Sequence, residues 1–255
     1  MKRLAAVSVL SLLLAACICY LNPAPPVHAQ NLFFPLNYSP GLMGWWKLCG
    51  DTSASSGCTP SSSTTVYDSS GYSHNGTWQG TKSGDQAGTY YSSGAQVGPY
   101  AGYFDGTDNG VSMTGTAASH YTLFLWFEQG TLESGERELL FTNANGPTIS
   151  VPGTHKILYY DSYSANLTST STITAGQWYC VAITFDGTYR TLYVDGAIQG
   201  SPLNGGAHAL TTSSTWTIGW FSGQSRWLDG EVNDVRVYNR ALSAGEIAAM
   251  CNAHN

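Results

Sequence analysis

Residues 177–196 read QWYCVAITFDGTYRTLYVDG. Tyr179, Val181, Ile183 and Phe185 alternate with Trp178, Cys180, Ala182 and Thr184, so an extended chain sends the two sets to opposite faces. Asp186-Gly187 interrupts the run. Beyond it, Leu192 and Val194 alternate with Thr191 and Tyr193 as far as Asp195-Gly196. Period-two alternation on both sides of an Asp-Gly pair predicts a β-hairpin with one buried face.

The same punctuation recurs along the chain. Asp-Gly occurs at Asp105, Asp186, Asp195 and Asp229, and Asn-Gly at Asn75, Asn109, Asn145 and Asn204. These pairs accept the positive φ angles of tight turns, which predicts a succession of hairpins. Between them, strands are expected at 43–48, 121–128, 138–142, 156–161, 215–220 and 231–238. One helix is expected at the C-terminus, where Ser243 and Glu246 form a capping box ahead of Ile247, Ala248 and Met250. The fold class is therefore all-β, an antiparallel meander or jelly-roll sandwich with a short C-terminal helix.

The N-terminus reads differently. Lys2 and Arg3 precede an apolar run over 4–19, then Pro23, Pro25 and Pro26 lead to Val27-His28-Ala29. This is the pattern of a secretory signal peptide over 1–29, followed by a linker over 30–40 and the folded domain over 41–255. An alternative cut in Leu14-Ala15-Ala16-Cys17 would put a lipid anchor on Cys17. Cleavage after Ala29 leaves four cysteines, an even number suited to an oxidising compartment. Either cut predicts a secreted or cell-surface protein. Cys49 and Cys58 bracket a polar loop, and Cys180 sits in a strand while Cys251 ends the helix. Bridges 49–58 and 180–251 are preferred among the three connectivities four cysteines allow.

Three segments together resemble the LamG-like jelly-roll domains of the laminin-G and concanavalin A-like lectin/glucanase class. They are GLMGWWK (41–47) followed by VYDSSGYSHNGT (66–77), then 177–196, then LDGEVNDVRVYNRALS (228–243). The resemblance spans 41–251 and implies two packed antiparallel sheets. It also implies a structural calcium ion held by Asp68, with Ser70, Ser73 and His74 as co-ligands and Asn233 and Asp234 from the late strand. Asn233 departs from the Asp usual in the class, which removes one charge from such a site. Cys180 stands where these domains often carry His.

The class contains lectins and glycosidases, so chemistry must be sought in the residues. A glycosidase on this fold needs two carboxylates, and the Glu-x-Asp-x-x-Glu string of laminarinase-like glucanases is absent. Glu136 and Glu138 have i, i+2 spacing, but with Glu133 and Gly135 they read as a solvated hairpin. No Gly-x-Ser-x-Gly elbow, His-Glu-x-x-His pair or phosphate-binding glycine loop occurs. Ten basic residues against sixteen acidic ones argue against nucleic acid as a partner.

Eight Trp and sixteen Tyr are many for 255 residues, and aromatic faces suit the C–H faces of sugars. Tyr72, Tyr100, Tyr163, Trp220 and Trp227 are the candidate ligand contacts. The expected function is non-catalytic binding of a glycan or glycoprotein. A structural or adhesive surface protein with a protein partner is the alternative, and a glycoside hydrolase the third.

Overall fold

The computed structural model describes residues 40–50, 58–60, 62–84, 88–142, 146–161, 166–205, 209–212, 215–221 and 224–253. The expected signal peptide, Cys17 and Tyr163 lie outside them. In chain order the first strands are β1 (Leu42–Trp46), β2 (Thr65–Val66), β3 (Gly76–Gln79), β4 (Tyr91–Ser93), β5 (Tyr100–Asp105) and β6 (Gly110–Thr114). β7 (Tyr121–Gln129), β8 (Arg137–Phe141), β9 (Thr148–Val151), β10 (Lys156–Tyr160) and β11 (Leu167–Thr172) follow. β12 (Trp178–Phe185) and β13 (Tyr189–Val194) are the expected hairpin. β14 (Ala197–Ile198), β15 (Leu203–Asn204), β16 (Thr215–Ile218), β17 (Asp229–Tyr238) and helix α1 (Ala244–Asn252) come last.

The strands form two antiparallel sheets. One runs β14-β13-β12-β7-β17-β5-β4, with β1 also on β17 and β15 on β13; the other runs β11-β10-β9-β8-β16-β6-β3-β2. Strand neighbours such as β7 and β17 are far apart in sequence, the crossed connectivity of a jelly roll. Side chains that alternate inward from both sheets make one core, including Trp46, Phe104, Leu125, Phe127, Ile157, Tyr159, Ile183 and Trp216. Gly219, at φ +77°, is required at this contact because a Cβ there would lie 2.1 Å from the Phe104 ring.

The turn pairs do less hairpin work than their spacing predicts. Asp195-Gly196 is a two-residue turn with φ +50° and +78° between the paired Val194 and Ala197. Asp105-Gly106, in contrast, opens a connection from one sheet to the other, and Asp229-Gly230 lies inside β17. Asn75 and Asn109 directly precede β3 and β6. The pairs therefore mark strand ends and corners as often as hairpins.

The 177–196 hairpin is also more deeply buried than its alternation predicts. Both its faces are buried, since every residue from Cys180 to Phe185 is buried. Val181, Ile183 and Phe185 face the main core. Cys180, Ala182 and Tyr193 join Trp45, Phe124, Trp126, Tyr238, Ile247 and Cys251 in a smaller cluster under α1. The helix begins at the Ser243/Glu246 capping box, and Arg240 grips the Glu246 carboxylate at 2.6 and 3.0 Å. The Cys180–Cys251 bridge, with Cα atoms 5.6 Å apart, ties it to β12. Cys49–Cys58 is the other bridge, Cα to Cα 4.9 Å.

Polar groups also cross the main core. Tyr121 on β7 and Tyr159 on β10 join their hydroxyls at 2.9 Å, and Tyr159 donates to Asp161 at 2.9 Å. Asp161 in turn accepts from Arg190 of β13 at 3.2 Å, and both charged side chains are fully buried. Burial raises the Tyr121 and Tyr159 hydroxyls well above the ordinary tyrosine range, so both stay protonated donors.

Candidate functional site

The residues the resemblance assigned to calcium form two groups that share Trp45. Asp68 anchors the 68–75 loop. Its Oδ1 accepts the backbone N–H of Trp45 at 2.9 Å and of Ser70 at 2.8 Å, while Oδ2 accepts the Ser70 hydroxyl at 2.7 Å and the His74 N–H at 2.9 Å. Four donors saturate a carboxylate's two oxygens. Ser73 sits at the exposed side of this loop at φ +61°.

Asn233 and Asp234 lie at a bulge in β17, where the register shifts and Asp234 adopts φ +55°. Asn233 accepts from Val97 N at 2.9 Å and donates to the carbonyls of Lys47 and Tyr100 at 2.9 and 3.2 Å. A carboxylate could not make those two donations, which accounts for Asn in place of the usual Asp. Asp234 holds Arg236 through both oxygens at 2.8 Å and accepts from the Trp45 indole at 2.6 Å. Arg236 lies over the Trp45 ring, 4.7 Å from its centroid.

A hard cation needs six to eight oxygens turned towards it, whereas these acceptors already serve protein donors. A bound cation would have to displace these donors. A thermal melt with and without chelator checks the point, with an unchanged midpoint expected. A midpoint lowered by several degrees would show that a cation holds the loop.

The candidate aromatics are not gathered in one place. Tyr72 is 56% exposed and stacks on His74, centroids 5.9 Å apart, whereas half-buried Tyr100 on β5 packs against the main core. Trp220 and Trp227 stack face to face at 4.9 Å in the turn between β16 and β17.

That same turn borders an open groove, about 510 Å³ in volume, on the outer face of the eight-stranded sheet. Strand alternation builds its floor. Ile157 and Tyr159 of β10 point into the core, so Leu158 and Tyr160 point out. Across the sheet Leu158 pairs with Ser150 of β9, and Ser150 with Glu138 of β8. Asn166 contributes from the start of β11, and Phe221, Gln224 and Arg226 from the 220–227 turn.

Electrostatically, the groove is organised around Arg226. Its Nη1 lies 2.8 Å from Glu136 Oε2 and 2.8 Å from Glu138 Oε1. Tyr160 donates to Glu138 at 3.1 Å, and Ser150 donates to Glu136 at 2.7 Å. Glu138 is fully buried, which pushes its carboxyl up to about 7; Arg226 opposes the rise and Glu136 adds to it. Burial likewise raises the Tyr160 hydroxyl, with the neighbouring carboxylates adding to the effect.

These glutamates correct the expectation of a solvated hairpin. Glu133 is in the open turn and pairs with Arg137, but the other two side chains are 20% and 0% exposed. The i, i+2 spacing was a usable signal. Arg226, Tyr160 and Phe221 carried none, since they come from segments far from β8.

No curated protein sequence matches the chain. Among solved structures, it is similar to a sialidase from Trypanosoma rangeli in complex with the inhibitor DANA. The TM-score is 0.60 at 16% identity, over 84% of this chain and 33% of the sialidase. Domain 4 of a GH43 extracellular arabinanase from Geobacillus stearothermophilus, in complex with arabinotriose, is similar along its whole length. There the TM-score is again 0.60 at 16% identity, covering 84% of this chain and 100% of that domain. The receptor-binding domain of botulinum neurotoxin C/D mosaic serotype gives 0.59 at 11% identity, over 83% of this chain and 51% of that one. The chain thus spans a third of the sialidase and half of the toxin domain, and these likenesses concern the fold. A sequence profile described as concanavalin A-like lectin/glucanases superfamily matches residues 105–248, from the end of β5 into α1. Through that match, which covers more than half of its length, the chain belongs to the concanavalin A-like lectin/glucanase superfamily.

Proposed function

We propose that this protein is an exported, non-catalytic carbohydrate-binding module whose ligand lies in the groove beside Arg226. The observation that carries the reading is the composition of the groove lining. Phe221 and Leu158 offer apolar surface, while Tyr160, Asn166, Gln224 and Arg226 offer polar groups. A sugar ring presents that combination in reverse, an apolar C–H face rimmed by hydroxyls. The volume of about 510 Å³ is in the range of small-molecule sites. The arabinanase domain bound to arabinotriose supports a glycan ligand on this fold.

Binding is favoured over hydrolysis by the state of the carboxylates. Glu138 is sealed beneath Arg226 and Tyr160, and Glu136 is held by Arg226 and Ser150, so neither is presented to a glycosidic oxygen. Export is supported by the N-terminal pattern of residues 1–29 and by the two disulfides, which persist in oxidising compartments.

A glycan array followed by calorimetry tests the proposal. Phe221→Ala and Tyr160→Phe are each expected to weaken saccharide binding about tenfold while leaving the thermal midpoint within a few degrees. A negative array, or binding indifferent to both variants, would sink the reading and favour a protein partner. Release of reducing ends from polysaccharides would show instead that the module is catalytic.

A further inference from the structure

We infer that the groove selects neutral saccharides and discriminates against acidic ones such as uronates and sialosides. The inference rests on the carbohydrate-binding reading of the same groove, and its basis is how the one cation there is used. Among the described residues, Arg226 is the only basic side chain in the groove lining. Its Nη1 is engaged by Glu136 and Glu138 together, each at 2.8 Å, and also donates to Tyr160 Oη at 3.3 Å.

Arg137, which lies between Glu136 and Glu138 in sequence, is committed to Glu133 and to the Glu136 carbonyl. Two carboxylates thus face one guanidinium. With both ionised the cluster carries a net negative charge, and with Glu138 protonated it is neutral. In neither state is there an uncompensated cation to receive a ligand carboxylate.

Sites that recognise carboxylates through Arg do so by giving it a fork of donors to an incoming acid. Here the acid is already supplied by the protein. The remaining donors of Arg226 act as compensated polar groups, suited to hydroxyl and ring oxygens. An acidic sugar would face like-charge repulsion from Glu136, with no compensating partner and across a chain whose overall charge is −6. A neutral sugar loses nothing to that charge and can donate its hydroxyls to the amide oxygens of Asn166 and Gln224.

Matched ligand pairs differing only in charge test this by calorimetry. Trigalacturonate is compared with its methyl ester, and sialyllactose with its carboxyl methyl ester, at low salt where electrostatic discrimination is largest. The neutral member of each pair is expected to bind at least about tenfold more tightly. Glu136→Gln removes one carboxylate from a partly exposed position and is expected to narrow that gap while the thermal midpoint stays near that of the parent. Acidic members that bind as tightly as neutral ones would overturn the selectivity, with the carbohydrate reading left standing. A neutral preference unchanged by Glu136→Gln would overturn the assignment of selectivity to this cluster. Failure of both pairs and of every glycan on an array would overturn the carbohydrate reading itself, and the inference with it.

Discussion

Replacing Asp161 by Ala is expected to lower the unfolding free energy by about 3–5 kcal/mol. The reason is the residue left behind. Arg190 is fully buried in β13, and Asp161 meets its Nη1 at 3.2 Å while also accepting from Tyr159 at 2.9 Å. Truncation removes the carboxylate that Asp161 supplies to a buried guanidinium and to a buried phenol. For a domain of this size the thermal midpoint should fall on the order of 10 °C. The informative control is Asp161→Leu combined with Arg190→Met, which removes both charges and should recover much of the loss. Equilibrium denaturation measures both. A loss below about 1 kcal/mol for Asp161→Ala would show that water reaches Arg190 when its partner is gone.

The second large effect is expected at the Cys180–Cys251 bridge. Its sequence separation is 71 residues, against 9 for Cys49–Cys58. In the chain-entropy description, joining the more distant ends constrains the unfolded chain by about 4 kcal/mol, compared with about 3 for the short loop. Paired substitution of Cys180 and Cys251 by Ala should therefore destabilise more than the same change at Cys49 and Cys58. It should also expose the cluster of Trp45, Trp126, Tyr193 and Ile247 under α1, because the helix is the cover of that cluster. Limited proteolysis beyond residue 240 reports this local opening, and denaturation reports the global loss. Equal effects from the two pairs would show that the unfolded chain is too compact for loop length to matter.

Much of the fold was legible because its cause is local. Alternation in 177–194 identified two strands and their turn, and the Ser243/Glu246 box identified the helix start. The six further strands expected from short β-branched and aromatic runs all occur, with ends differing by at most two residues. Cysteine placement likewise pointed to both bridges. The errors have a common origin in what packs on a strand from elsewhere. Alternation in β12 predicted a solvent face, but α1 and its disulfide cover that face. The Asp-Gly and Asn-Gly pairs reported backbone preference, not whether the next strand would pair or cross to the other sheet.

The groove was the least legible part. Glu136 and Glu138 share a face by their spacing, yet local sequence around Gly135 suggested a hydrated turn. What buries Glu138 is Arg226, 88 residues further on, together with Tyr160, 22 residues on. The aromatic content pointed to Trp220 and Trp227, whose neighbours Phe221, Gln224 and Arg226 line the groove. Similarly, the loop around Asp68 was identified, and three of the donors to its carboxylate come from Ser70 and His74 of that loop, but the fourth, the Trp45 N–H, is supplied only once β1 lies beside it.

By itself, then, the hairpin sequence at 177–196 determined strands, a turn and a β-class fold, because side-chain alternation and positive φ are properties of neighbouring residues. Tertiary structure alone decided that both sides of that hairpin would be covered, which carboxylate would be buried and where a groove would open. Those outcomes depend on long-range pairing, in which desolvation and charge compensation are supplied by residues that no local pattern connects.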